Sequence, residues 1–527
     1  MSAPVLQSQD LDFEEHLNRV TQHVLGRYHD LPSLPTLPEP AAIAHAVSSL
    51  PVALGDKGLG TAATTDYLLN TLLPGCLQGQ PGPRYFGFVT GGVTPSAQLA
   101  DILAGSYDEN VQVTLPSDTA STAVEARSLE LVLDLIGVPR DNYTGRTITT
   151  GATSANVLGL ACARDHLYSR SPHLPPGYSY AQDGPPSAPG LPSPPIVILA
   201  LHPHFSITKA AGLVGIGAGP RVINTIPAAA DDELAFDMEA LEARLEEEKK
   251  VGRGVIVSYG LGEVNTGGFG KGLDGVAKLC REYGAWLHVD AAFGGFAAVL
   301  PELGHLTLGI DQADSLTLDG HKWLNVPYDC GLFFTREKSA LAKVFAPPMA
   351  PAYLATAPVG LEQDDTEPGR VIQDQVPSPL YCGIDNSRRF RALPLLASLM
   401  SLGKEGYVDI IRRNIEFANK IAQYIIDSPS YELLNPSAPS SRARVPLNIV
   451  LFRGSANSPF PPTTADSSTH LTAKINASRR IYVTGTKWRG QGAIRLAVSN
   501  WRTGISADDF EQVKQVLAEA MQSGLRL

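Results

Sequence analysis

The sequence predicts an α/β protein, with a mostly parallel, doubly wound sheet in a large domain, a helical segment before it and a smaller α+β domain after it. Three observations predict this. Between about Ala97 and Thr335, short β-rich runs alternate with amphipathic helical stretches, as strand–helix–strand units do. Each run is short and bounded by Gly, Pro or Asp, the habit of buried parallel strands. After about Leu396 the alternation gives way to a long helix, a few strands and a terminal helix.

In chain order, residues from about Asp12 to Leu73 read as helical pieces broken by the Pro-rich connector Leu31 to Pro40. The strand candidates are Thr147–Thr150, Ile196–Leu201, Val222–Ile226, Val255–Ser258, Trp286–Asp290, Ser315–Leu318 and Gly331–Thr335. Between them, Asp237 is placed to cap a helix in which Met238, Leu241 and Leu245 recur at spacings of three and four. Val276, Leu279, Cys280 and Tyr283 make a second stripe, stopped by Gly284 where a left-handed residue is wanted. Ser169 to Pro195, dominated by Pro, Ser and Gly, reads as a surface insertion with little regular structure, and Ser455 to Ser468 looks similar. The last part predicts a helix over Tyr407–Ile426, strands near Leu447–Phe452, Ile481–Val483 and Ala493–Val498, and a helix from Ala507. The boundaries are a helical segment 1–96, a large domain 97–395 and a small domain 396–527. Ligands in doubly wound sheets sit at the carboxyl ends of the strands.

Composition narrows the function. The chain of 527 residues buries a large core without disulfide or metal staples. Apolar residues at 43% and charged residues at 18% exclude a wholly disordered chain. Lys plus Arg is 42 against 53 Asp plus Glu, a net charge of −11. That balance argues against a nucleic-acid or anionic-membrane binder, because both need clustered cations. Cys76, Cys162, Cys280, Cys330 and Cys382 are odd in number and lack a C-x-x-C pair, which fits a reducing compartment. Met1 to Asp12 lacks the features of a signal peptide, and the longest strongly apolar run, Ile196–Leu201, is too short to span a bilayer. The expectation is a cytoplasmic protein.

Several motifs invite other readings. Gly215, Gly217 and Gly219 lie after a helix and before a strand, the reverse of a dinucleotide loop, so they read as a turn. Gly270-Lys271 lacks the spacing of a phosphate-binding loop and the Ser or Thr that follows it. His202 with His204, and His288 with Asp290, are pairs without a third ligand at a recognisable spacing, so no metal is expected.

Three strand ends carry reactive side chains. In AWLHVDAAFGG an apolar strand ends in Asp290; a buried carboxylate there needs a cation, or else it is a turn-forming cap. In SLTLDGHKWLNVPYDCG the chain returns through another strand to Asp319, His321 and Lys322. Trp323 and Leu324 follow directly, unlike the surroundings of a solvated lysine. Burial makes such an amine nucleophilic, the alternative being a lysine that snorkels past an aromatic. In TITTGATSANVLGL a strand ends in Thr149 and Thr150, and Gly151, Ala152, Thr153, Ser154 and Asn156 open a helix whose amides and hydroxyls suit a phosphate or an ordinary cap. Together the three fit pyridoxal 5'-phosphate, which needs a lysine for its aldehyde, an acid for its ring nitrogen and a cradle for its phosphate. His204, just past the Ile196 strand, is placed to stack on the ring, and Ala292 is small enough to lie under the other face.

The strings HVDAAFGG, LDGHKWLNVPYDCG, LHPHFSITKAAG and GATSANVLGL resemble the group II pyridoxal-phosphate-dependent decarboxylases, which include the aromatic-amino-acid, histidine and glutamate decarboxylases. The match keeps its order from about Arg84 to Arg391 and continues more weakly beyond. The resemblance implies the type I fold of pyridoxal-phosphate enzymes, decarboxylation of an L-amino acid, and a homodimer with active sites at the interface. It makes Lys322 the Schiff-base lysine, Asp290 the partner of the pyridine nitrogen and His204 the stacking histidine. Ala152 and Thr153 match phosphate binders, and His321 matches the histidine before the lysine. Asp319 stands where several relatives carry Asn. Tyr353, in Pro351-Ala352-Tyr353-Leu354, matches the tyrosine that returns a proton to Cα; relatives with Phe there tend to be aldehyde synthases. Phe86, Phe88 and Val89 fall where relatives line the side-chain pocket, compatible with an aromatic substrate. Two rivals stay open: a non-catalytic relative that binds without turnover, and a nicotinamide-dependent oxidoreductase on a similar sheet.

Overall fold

The seven apolar runs expected as strands enter one sheet. They are β1 (Gly145–Thr149), β2 (Ile196–Ala200), β3 (Ile223–Thr225), β6 (Gly254–Gly260), β7 (Trp286–Asp290), β8 (Ser315–Asp319) and β9 (Gly331–Thr335), ordered β1-β9-β8-β7-β6-β2-β3. The pairs β8–β7, β7–β6, β6–β2 and β2–β3 are parallel. β9 runs antiparallel to both β8 and β1. Hence β1, β2, β6, β7 and β8 all point the same way, and their carboxyl ends share one edge of the sheet. β2 and β9 are buried along their whole length, as expected of strands covered on both faces.

The structure is a computed structural model that describes residues 13–115, 118–346, 377–436 and 444–522. It divides into two compact units: Val93–Ile415 with Asn435–Leu447, and Met1–Gly92 with Glu416–Leu434 and Asn448–Leu527. The sheet belongs to the first. Its helices follow the local signals. Asp237 caps Met238–Val251 by accepting from the Ala240 amide at 3.0 Å, and Gly284 ends Leu273–Tyr283 with φ 69°. Gly215 (φ 77°) and Gly217 (φ 110°) turn the chain from the helix Phe205–Leu213 into β3. One element went unread in the sequence: a two-stranded ribbon of β4 (Ala228–Ala229) and β5 (Asp232–Phe236).

The core beside the sheet is built by Leu158, Ile198, Ile207, Ile256, Trp286 and Phe333, all 5% exposed or less. Each such side chain contributes about 1.5–3 kcal/mol on burial. The Pro-rich insertion does have little regular structure, a single helical turn at Tyr180–Asp183, yet it is docked. Tyr178 and Tyr180 pack against this core. The Arg164 guanidinium lies 3.5 Å from the Tyr180 ring centroid, and Asp165 accepts from Ser179 Oγ and the Tyr180 amide, both at 3.0 Å.

The second unit contains N-terminal helices (Phe13–Asp30, Pro40–Ser48, Gly60–Tyr67) and an antiparallel sheet, β10-β11-β13-β12, made of β10 (Tyr431–Leu433), β11 (Ile449–Gly454), β12 (Thr484–Trp488) and β13 (Gln491–Ala497). The strand expected at Ile481–Val483 begins three residues later. The terminal helix is Ala507–Ala520. No described helix is long and apolar enough to cross a membrane.

Candidate active site

A cavity of about 450 Å³ opens at the carboxyl ends of the parallel strands, lined by His204, Asp290, Ala292, Asp319, Lys322 and Tyr328 together with the start of the helix Ala152–Ser169. The topology explains the gathering. Asp290 is the last residue of β7 and pairs in register with Thr317 of β8. Two residues further β8 ends in Asp319, and one helical turn, Gly320–Trp323, carries Lys322. The β1 end reaches the same edge because Gly331 has no side chain: a Cβ there would lie 2.4 Å from Gly151 Cα.

At one end of the cavity the polar atoms are locked. Asp290 Oδ2 accepts from Asn156 Nδ2 at 2.9 Å, and Oδ1 accepts from the Ala292 amide at 3.3 Å. Asn156, fully buried, also donates to Ser206 Oγ at 3.0 Å. Its Oδ1 meets His288 Nε2 at 3.0 Å, and His288 Nδ1 meets Ser315 Oγ at 2.8 Å. Ser206 Oγ in turn lies 2.7 Å from His204 Nδ1. Burial pushes the His288 pKa down to about 4, against the opposing pull of Asp290, so this imidazole is neutral at ordinary pH.

The other end is rich in charge. Lys322 Nζ lies 3.2 Å from Asp319 Oδ2, and Asp319 Oδ1 accepts from the Ala152 amide at 2.7 Å. His321 accepts the Cys330 amide on Nδ1 at 3.1 Å, which leaves Nε2 toward Asp319 Oδ1 at 3.5 Å. Burial lowers the His321 pKa; Asp319 opposes this and Lys322 adds to it. The ring also packs against Tyr328 at a tilt of 32°, centroids 4.5 Å apart. First-turn amides of a helix lack intrahelical acceptors; with Ala152 taken by Asp319, those of Thr153 and Ser154 stand next in line for an anion.

These residues fit pyridoxal phosphate. An amine, an acid with two donors behind it, an imidazole and a helix N-terminus line a single cavity of the size that holds small cofactors, about 300–1,000 Å³. Of the residues singled out in the sequence, Lys322, Asp290, His204, Ala292, Ala152, Thr153, His321 and Asp319 come together here. Phe86, Phe88 and Val89 belong to the other compact unit. There Phe86 and Val89 are buried, with the Phe86 ring 6.1 Å from Phe417, while Phe88 is 62% exposed. Tyr353 lies outside the described residues. Sequence reading placed Asn156 at the helix start beside the phosphate cradle and not behind Asp290, passed over Ser206, Ser315 and Tyr328, and weighed His288 only as half of a metal pair. The sequence signal was His288 itself, two residues before Asp290 on one strand and so on its face.

A family model, the pyridoxal-dependent decarboxylase conserved domain, matches residues 48–447. The chain is 26% identical over 448 residues to the aromatic-L-amino-acid decarboxylase of Sus scrofa, covering 83% of each chain. To the phenylacetaldehyde synthase of Petunia hybrida it is 26% identical over 439 residues, 81% of this chain and 78% of that one. Among solved structures, Oryza sativa TDC with PLP and tryptamine superposes with a TM-score of 0.79 at 22% identity, covering 97% of this chain and 98% of that one.

Proposed function

Since this chain belongs to the pyridoxal-dependent decarboxylase family, a family of pyridoxal-phosphate-dependent lyases, we propose that it converts an aromatic L-amino acid to the amine and CO2. The observation that carries this reading is the single cavity lined by Lys322, Asp290 and His204. When bound, pyridoxal phosphate supplies an electron sink for the pair of electrons left at Cα. Lys322 would hold the cofactor's aldehyde. Asp290, kept as an acceptor by Asn156 and the Ala292 amide, would accept the ring N–H. His204 and Ala292, which both line the cavity, would hold the ring. Ala152 and Thr153, at the helix start, would hold the phosphate. Tyr353 returns a proton to Cα after CO2 has left. An aromatic substrate is favoured by the aromatic specificity in the names of both curated relatives and by the Tyr328 ring in the cavity wall. The active unit is a homodimer.

A second reading, decarboxylation followed by oxidative deamination to an aldehyde, is favoured by the equal identity to an aldehyde synthase. Tyr353 decides between them. Assay of CO2 release over a panel of L-amino acids, with the organic product identified, tests both. The expected product is the amine, and Tyr353→Phe lowers amine output while raising aldehyde and peroxide. Amine made by that variant at the wild-type rate would refute the proton-donor role, and no turnover of any aromatic amino acid would refute the substrate class.

A further inference from the structure

Behind the cavity lies a hydrogen-bond chain whose direction is forced by the chemistry of its members. It starts at the Trp286 indole, which only donates, and Trp286 Nε1 reaches Ser315 Oγ at 2.9 Å. At the other end the Asp290 carboxylate oxygen accepts, so Asn156 Nδ2 is its donor and Asn156 Oδ1 is left as the acceptor for His288 Nε2. His288 is neutral in its buried site, so its one ring proton sits on Nε2 to reach Asn156 Oδ1, and Nδ1 accepts from Ser315 Oγ. That fixes the Asn156 amide with both of its protons outward, one to Asp290 Oδ2 and one to Ser206 Oγ. Ser206 passes its proton to His204 Nδ1, which also accepts the Ser206 amide at 3.3 Å. Ser206, His288, Asn156 and Ser315 are each 1% exposed or less.

From this we infer that Asn156 is a positioning residue that holds two cofactor-facing groups at once: it keeps Asp290 as an acceptor, and through Ser206 it keeps His204 in the tautomer protonated on Nε2. The inference rests on the reading of Asp290 and His204 as cofactor partners and adds the residue that couples them. A polar chain this deep costs stability unless every member is paired, and here the chain ends on the two groups that face the cavity. The surrounding packing is consistent with this role. Gly159 sits inside the helix Ala152–Ser169, where glycine is unfavourable by about 1 kcal/mol, and a Cβ on it would lie 2.6 Å from His288 Nδ1. The helix therefore leaves room for the imidazole to reach Asn156.

The test uses the full chain stripped of cofactor and titrated with pyridoxal phosphate, following protein fluorescence, then the pH dependence of the bound cofactor's absorbance. Asn156→Leu removes the amide and Asn156→Ser keeps a hydroxyl too short to bridge Asp290 and Ser206; each is expected to weaken cofactor affinity about tenfold and to move the absorbance midpoint. His288→Leu acts only through Asn156, so the double variant with Asn156→Leu is expected to be no weaker than Asn156→Leu alone. The nitrogen NMR shifts of His204 are expected to show an unprotonated Nδ1 in the wild type and a mixture of tautomers in Asn156→Ser. Asp290→Asn serves as the reference. Wild-type affinity and midpoint in both Asn156 variants, with Asp290→Asn disturbed, overturn this inference alone. If Asp290→Asn is undisturbed too, the underlying reading of Asp290 fails with it. An additive double variant, or a protonated Nδ1 in the wild type, breaks the chain.

Discussion

The two ends of the cavity are built on opposite principles. Behind Asp290, Trp286, Ser315, His288, Asn156 and Ser206 are all buried and hydrogen-bonded in sequence along a path that ends on His204 at the cavity. Around Lys322 the partners are charged and shared: Asp319 serves the lysine, the Ala152 amide and His321 together. The first arrangement fixes geometry, because a neutral chain with no spare partner has no second low-energy state. The second is suited to exchange, since an ion pair at a helix start gives way readily to another anion. On the proposed reading, a lysine that releases and recaptures the cofactor belongs at the exchanging end, and an acid that holds one ring atom still belongs at the fixed end.

The sharpest way to break this contrast is to remove the exchanging group. Lys322→Ala is expected to abolish turnover and the visible absorbance of the covalently held cofactor, while pyridoxal phosphate still binds through the fixed end with weakened affinity. A persisting visible band would remove the covalent assignment of Lys322. Complete loss of cofactor binding would show instead that the Asp290 end contributes no affinity of its own.

How much of this was legible in the sequence follows the same division. Lys322, Asp290 and His204 could be read because each ends or closely follows a short apolar run, so one local string supplies both the strand and the reactive end. The chain behind Asp290 could not. Asn156 and His288 are 132 residues apart, and His288 and Ser315 27 apart, so only the register of β7 on β8 and the packing of one helix bring them together. Before that register is known, a histidine two residues from an aspartate reads equally well as half of a metal site. The ribbon of β4 and β5 was missed for a related reason, since a two-residue strand carries no periodicity. The insertion was read from composition, which speaks to its irregular backbone but not to the Tyr180 ring that anchors it on Arg164.

Acid should strain the fixed end first. His288 is held near pKa 4 by burial, whereas in the unfolded chain a histidine titrates at about 6.5. The unfolded state therefore binds more protons between those values. Stability from the neutral imidazole is whole above about 6.5 and drains as pH falls toward about 4. By about pH 5 the loss amounts to about 2 kcal/mol. The check is the melting temperature of the cofactor-free protein at neutral and mildly acid pH, beside His288→Gln. The wild type should lose more over that interval than the variant, and parallel losses would show that His288 is not the group that fails.

The smallest expected effect concerns Asp319, and it probes the exchanging end directly. Asp319→Asn retains an oxygen for the Ala152 amide, so the helix start keeps its cap. What disappears is a full negative charge 2.7 Å from the amide nearest the proposed phosphate site, together with the ion pair to Lys322. Since like charges repel more strongly where water is scarce, removing the carboxylate should tighten binding of pyridoxal phosphate to the cofactor-free protein by about tenfold. Inorganic phosphate, which lacks an aldehyde for Lys322, should gain in the same direction and serve as the cleaner probe. Added salt should erode the gain only partly, because Asp319 is buried. Weaker binding of both ligands would reverse the assignment, making Asp319 a support for Lys322 rather than a competitor of the incoming anion, and this end of the cavity would then be as fixed as the other.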